Sequence, residues 1–238
     1  MKHNWLIRAS QVSDIMTNDR SGKQMGDTAK KAILEAVLFN KYGIEPKEIS
    51  SKFIEKGNAN EYENIVLAKR VLNWADVDPD LIKPRLFNDY VTGETDVLSE
   101  TVLADIKTSW DASTFPWLAV DCPNKAYYWQ MQVYCWLTDR DEAELVYALS
   151  NTPENLIYDE LRKAVWKNLT NPLYAEKSET EIEEILEEKI RGQLTFDQIP
   201  EKNRVKRFII KRDDMAIEQI KARVIEAREY YDQLFEKI

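Results

Sequence analysis

Apolar positions recur at helical spacing over residues 28–42, where Ala32, Leu34, Val37 and Leu38 precede Gly43, and again over 58–74, through Tyr62, Ile65, Val66, Leu67 and Val71. Both stretches predict helices. Upstream, the serines at 10 and 13 lie just ahead of Val12, Ile15 and Met16 and suggest a capped helix start. Thr17 to Asp27, with Ser21-Gly22-Lys23 inside it, reads as a loop. After the turn cluster Asp76 to Asp80 the pattern changes to short β-type runs. Asp89 to Leu98 and Val102 to Ser109 are expected as adjacent strands joined by Ser99-Glu100-Thr101. A helix is expected at 125–138, a strand at 143–149, helices at 155–168 and 178–191, a strand from Arg204 to Arg212 and a closing helix at 214–238. Helices, a small mixed sheet and then more helices indicate one α/β (α+β) domain over 1–238 without internal repeats. Its core would span about 6–150, with a helical and strand extension at 151–238.

Composition narrows the chemistry. Cys122 and Cys135 are too few for a disulfide framework or a four-cysteine cluster, so a reduced compartment is the simpler expectation. His3 is the only histidine, which removes Ser-His-Asp triads, Cys-His dyads and His-ligated zinc unless His3 itself serves. Carboxylate, lysine or cofactor chemistry is left. A net charge of −9 argues against indiscriminate coating of nucleic acid, while leaving room for a local basic groove. No stretch approaches ~20 consecutive apolar residues and the first residues lack a signal-peptide pattern, so no membrane association and a cytoplasmic location are expected.

Two acidic positions and a lysine carry the candidate chemistry. Alternation along a strand puts Asp105 and Lys107 on one face, with Ala104 and Ile106 on the other. A short hairpin would bring Asp96, from a Gly-x-x-Asp turn, beside them. Two carboxylates converging with a lysine suit a Mg²⁺ or Mn²⁺ phosphodiesterase, because a hard cation takes oxygen ligands and keeps waters that can attack phosphorus. The ammonium can orient that water or offset charge developing on the phosphate. An acidic residue two before a lysine occurs three times, at Glu45/Lys47, Asp105/Lys107 and Glu187/Lys189, so the pair alone proves nothing. Only the central one lies in an apolar strand-like run; its bland alternative is a solvated strand-face ion pair. Glu63 could add a third carboxylate, and Glu61, two residues away on a different helix face, would not ligate with it. Gln130 and Tyr134, four apart, share a helix face where a glutamine could position water or a phosphate oxygen.

The order Ala9-Ser10-x-Val12, Glu61-Tyr62-Glu63-Asn64, Gly93-x-x-Asp96, Asp105-x-Lys107 and Gln130-x-Gln132 resembles the phage lambda exonuclease group of the PD-(D/E)XK nucleases, the YqaJ-type viral recombinases. The likeness spans roughly residues 6–138, and the C-terminal strand and long helix are similar to that family's end. It implies a restriction-endonuclease-like core and a Mg²⁺-dependent exonuclease, with Mn²⁺ able to substitute and two ions per site. Such an enzyme digests one strand of linear duplex DNA from a 5′ end and leaves a 3′ tail for an annealing protein. By motif, Asp96, Asp105 and the Ile106 main-chain carbonyl become metal ligands, with Glu63 at the second ion. Lys107 becomes the catalytic lysine, and Gln130 or Gln132 falls at the family's glutamine. Ser10 falls at the 5′-phosphate contact, with Arg8, Ser13 and Tyr134 as further DNA contacts. The family's upstream phosphate arginine is missing, and Arg8 is the candidate substitute. A trimeric ring around DNA is implied by the family alone.

Elsewhere, Lys202, Arg204, Lys206, Arg207, Lys211 and Arg212 form the densest basic stretch, either a DNA groove or an edge strand protected by charge. The acidic run Glu176 to Glu188 reads as a solvated face, and Trp74 and Trp110 as core or rim packing. Two other classes remain open: a PD-(D/E)XK endonuclease of restriction or repair type, and a non-catalytic adaptor on a nuclease fold.

Overall fold

A computed structural model describes residues 5–46, 51–81 and 83–238. His3 and Lys47 lie outside the described residues. The chain enters through a two-residue strand β1 (Ile7–Arg8), a 3₁₀ turn at Ala9–Gln11 and the short helix α1 (Val12–Ile15). No serine side chain caps that start; the turn and helix are held by burial of Ala9, Val12 and Ile15. Helix α2 (Asp27–Tyr42) buries Ala29, Ile33 and Val37, one residue per turn, and ends at Gly43, whose φ of 67° is the left-handed conformation glycine adopts without strain.

The helix expected over 58–74 is α4 (Glu61–Leu72), and an unexpected helix, α3 (Lys52–Ala59), precedes it across a break at Asn60. The buried Asn60 amide donates to Ser150 Oγ (2.8 Å) and to the Asn151 carbonyl (2.7 Å), contacts far along the chain that local periodicity does not report. The strand expected over Asp89 to Leu98 is also divided. β2 (Leu86–Phe87) and β3 (Val91–Gly93) form a three-stranded sheet in the order β1-β3-β2, whereas β4 (Val97–Leu98) opens a second sheet. The chain changes sheets at Glu94 to Asp96, and that corner delivers Asp96.

The second sheet runs β4-β5-β6-β7, with β5 (Leu103–Thr108), β6 (Glu142–Ala148) and β7 (Val205–Lys211). β5 and β6 are parallel and linked through helix α5 (Lys125–Thr138); the outer pairs are antiparallel. The hairpin register sets Val97 opposite Ala104. β7 completes the sheet, and the last helix α8 (Asp214–Lys237) buries Ile220, Val224, Ala227 and Tyr231 in the cluster that holds Ile33 and Val37. The C-terminal segment is therefore built into the same core as the N-terminal one. Helices α6 (Glu154–Asn168) and α7 (Glu179–Leu194) pack together through Leu161, Ile182, Leu186 and Ile190, leaving the acidic face of α7 in solvent. Trp74 and Trp110 are both buried. No helix among the described residues is long and apolar enough to cross a membrane, and both cysteines are free.

Candidate active site

A cleft of about 520 Å³ opens over β5 and is lined by Asp96, Asp105, Lys107 and Gln130 among others. Four pieces of backbone supply these groups: the sheet-changing corner, β5, α5 and the start of α4. Asp105 is 3% exposed on β5, where strand alternation turns it and Lys107 to the same side. Lys107 Nζ lies 2.6 Å from Asp105 Oδ2, donates to Gln130 Oε1 (3.2 Å) and stands 4.6 Å from the Tyr127 ring centroid. The Gln130 amide in turn donates to Asp105 Oδ1 (3.1 Å) and to Tyr134 Oη (2.9 Å), and Tyr134 Oη donates to the Glu94 carbonyl (2.9 Å). A closed network thus fixes both the carboxylate and the lysine.

Asp96 reaches the cleft from the other strand of the hairpin. Its Oδ2 accepts from the Ile106 amide at 2.6 Å. Burial, and then the charge of Asp105, push its carboxyl up to about 6, against the opposing pull of the Ile106 amide, Lys83 and Lys107. Burial alone would lower the Lys107 ammonium, but Asp105 and Asp96 outweigh it and hold the group above the ordinary lysine range, so it stays charged. Burial and Asp105 raise Tyr134, which stays a neutral phenol. Gly93 is required beside this ring: a Cβ there would stand 2.9 Å from Tyr134 Cε1 and 3.0 Å from Ala9 Cβ.

The remaining expected site residues divide. Ser10 and Arg8 are exposed on the cleft wall, and Ile106 and Tyr134 also line it. Ser13 does not; it lines a separate cleft with Trp129 and Arg223. Of the two acids at the start of α4, Glu63 is exposed and absent from the lining, whereas Glu61 lines the cleft and is ion-paired with Lys83. Two residues along a helix is a turn of about 200°, so only one of the pair can face inward. The same rotation separates the glutamines. Gln132 is fully buried away from the cleft, donating to the Lys211 carbonyl (2.8 Å) and accepting from the Asp213 amide (2.7 Å), where it joins β7 to α8.

Lys83 escaped sequence reasoning, since it lies in a segment without periodicity. Lys83 borders the cleft from an adjoining pocket, and Arg85, which lines the cleft itself, faces Glu94 at 3.5 Å. The basic stretch of 202–212 lies at the sheet edge: Arg207 pairs with Glu144, Lys211 with Glu142, and Arg212 with Asp139 and Asp214. The edge-strand alternative describes it.

The carboxylates suit a hard divalent cation in one specific respect. Asp105 Oδ2 is buried and, despite the nearby ammonium, accepts no well-directed hydrogen bond, so an acceptor is left over between two acidic side chains. Among the described residues, no group of three or more His, Cys, Asp or Glu side chains is gathered for a metal as it stands.

Solved structures share this architecture. A phage-related exonuclease from Haemophilus somnus 129PT matches with a TM-score of 0.76 and 29% identity, over 99% of this chain and 97% of that one. The chain shares its fold, a PD-(D/E)XK nuclease-like core, with this phage-related exonuclease. The alkaline exonuclease LHK-Exo from Laribacter hongkongensis shares the fold at 15% identity and a TM-score of 0.59, over 98% of this chain and 90% of that one. Its complex with dAMP matches at 17% identity and 0.60, with the same coverage. No family model and no curated protein matches the chain. The likeness to all three structures runs nearly end to end, so β7 and α8 belong to the shared fold as fully as the cleft does.

Proposed function

We propose that this nuclease is a metal-dependent exonuclease that digests one strand of linear duplex DNA from the 5′ end and leaves a 3′ single-stranded tail. The observation that carries it is the Asp96, Asp105, Lys107 and Gln130 network at the base of an open cleft, in a chain similar throughout to a phage-related exonuclease. The dAMP in the LHK-Exo complex is a single nucleotide, the kind of product that stepwise digestion releases.

Asp96, Asp105 and the Ile106 carbonyl would hold Mg²⁺ or Mn²⁺, with Glu61 in the same cleft available to a second ion. When bound, such an ion supplies Lewis-acid stabilisation of the phosphate and a water acidic enough to attack phosphorus near neutral pH. The chain's own groups do the rest. Lys107, held charged and aimed by Gln130 and Asp105, stands where it can orient the attacking water and offset negative charge on the scissile phosphate. Gln130 locks Asp105 and Lys107 in one geometry. Ser10 Oγ and the Arg8 guanidinium, exposed on the cleft wall, would take the 5′-terminal phosphate by hydrogen bond and charge. The tail would pass to a strand-annealing protein.

The test compares Mg²⁺-dependent digestion of linear duplex DNA carrying one labelled 5′-phosphorylated end with that of covalently closed circular DNA, using Asp105→Ala as the blank. Progressive release from the linear 5′ strand with the circle intact is expected. Cutting of the circle would replace the reading with an endonuclease, and no cutting of either with Mg²⁺ or Mn²⁺ would replace it with an adaptor.

A further inference from the structure

Beside the cleft, in a small adjoining pocket that shares Asp96, stands a second lysine that the proposed chemistry does not use. Lys83 comes from the segment leading into β2, and its side chain is only 20% exposed. Its ammonium pairs with Glu61 at the start of α4 and lies 3.7 Å from Asp96 Oδ1, so it bridges two carboxylates from separate parts of the chain. Lys107 is different. That lysine has a neutral acceptor in Gln130 and an aromatic ring beneath it, so its place is fixed by more than charge. Among the described residues, the only partners of Lys83 are the two acids.

Asp96 is thereby divided between two neighbours. Oδ2 is held by the Ile106 amide, while Oδ1 faces the Lys83 ammonium. Glu61 lines the cleft, yet its carboxylate is engaged by Lys83, and among the described residues no third acidic side chain joins Asp96 and Asp105 closely enough to complete a metal site. A tethered monovalent cation thus lies against the acids that a divalent ion would draw on.

We infer that Lys83 is a resident counter-ion that competes with the divalent metal for Glu61 and Asp96, holding the acids together in the metal-free protein and weakening metal binding until it is displaced. The inference rests on the proposed metal-dependent reading of this cleft. Two physical effects act in the same direction. A cation bound at Asp96 would be repelled by the Lys83 ammonium 3.7 Å from Asp96 Oδ1, and Glu61 must give up an ion pair before it can turn to a metal.

Calorimetric titration of the full-length protein with Mn²⁺ at fixed pH, without DNA, tests this independently of catalysis. Lys83→Met is expected to bind Mn²⁺ at least fivefold more tightly than the parent, and Lys83→Gln to do the same. Lys83→Arg, which keeps the charge, should stay within about twofold of the parent. In a Glu61→Gln background the gain from Lys83→Met should shrink, because one of the two contested acids is gone. The metal-free melting temperature of Lys83→Met should fall, and saturating Mn²⁺ should close most of the gap. Parent-like or weaker Mn²⁺ binding by folded Lys83→Met and Lys83→Gln would overturn the inference while leaving the metal-dependent reading in place. Absence of Mn²⁺ binding by the parent and all variants would overturn both.

Discussion

Two sets of lysine and carboxylate pairs in this molecule use the same residue types to different ends. On β5, Lys107 and Asp105 sit in a cleft, tied by Gln130, Tyr134 and Tyr127 into a largely buried network. On β7, Lys211 pairs with Glu142 and Arg212 with Asp139 and Asp214, at an exposed sheet edge where water screens each contact. A salt bridge becomes chemically useful through the groups that fix it and the burial that strengthens it, and the local density of charge is a poor guide. The richest basic stretch of the chain, in a protein of net charge −9, lies along the outer strand β7, while Lys107, two strands away on β5, lines the cleft.

The largest expected effect comes from breaking the cleft's acid pair. Asp105→Asn or Asp96→Asn should lower the rate of Mg²⁺-dependent digestion by at least ~100-fold, the scale of losing one electrostatic element of a catalytic site. Circular dichroism should show the fold retained, since both amides keep the shape of the acids. The two glutamines sharpen the contrast within one helix. Gln130→Ala should reduce activity by roughly ten- to a hundredfold through misplacement of Asp105 and Lys107, with a small loss of stability. Gln132→Ala should do the reverse: a loss of about 1–3 kcal/mol in urea unfolding, from removing the buried side chain that pairs with the part-buried Lys211 carbonyl and Asp213 amide, with activity per folded molecule near the parent's.

These glutamines also mark how far the sequence could be read. Asp105 and Lys107 were legible because strand alternation is strict, and Asp96 because a short hairpin has little freedom in where it puts a residue at its base. The helix and strand order was legible for the same reason, with ends displaced by one to three residues. What was hidden depended on distant contacts. Asn60 breaks a helix through Ser150 and Asn151, and the change of sheet at Glu94 to Asp96 divides what reads as a single strand. Choosing Glu61 over Glu63, or Gln130 over Gln132, needs the rotational phase of a helix against a cleft, which spacing within the helix leaves undetermined. Lys83 had no periodic context at all.

A third lysine extends the comparison to one buried without a carboxylate in contact. Lys56 is fully buried and donates to the Trp110 carbonyl at 2.8 Å. Burial lowers its ammonium to about 8, with Asp111 opposing. Between pH 8 and its unfolded value near 10.4, the unfolded chain therefore binds more protons than the folded one, and this residue makes stability rise with pH across that window. Relative to Lys56→Met, the parent should gain on the order of 3 kcal/mol from pH 8 to pH 10.5, read from urea melts at each pH. A difference between the two proteins that stays flat across the window would contradict the buried charge.

The smallest effect belongs to the β7 edge. Arg212→Gln should leave digestion within about twofold of the parent and shift the melting temperature only slightly, as exposed ion pairs do.

The most direct test sets one lysine from each region side by side: Lys107→Ala and Lys211→Ala, both checked for native circular dichroism, digesting 5′-labelled linear duplex DNA at saturating Mg²⁺. The account predicts that Lys107→Ala loses at least ~100-fold in rate while Lys211→Ala stays within about twofold. Normal hydrolysis by Lys107→Ala, or an equal loss in both, would contradict the assignment of the β5 cleft as the cleavage centre.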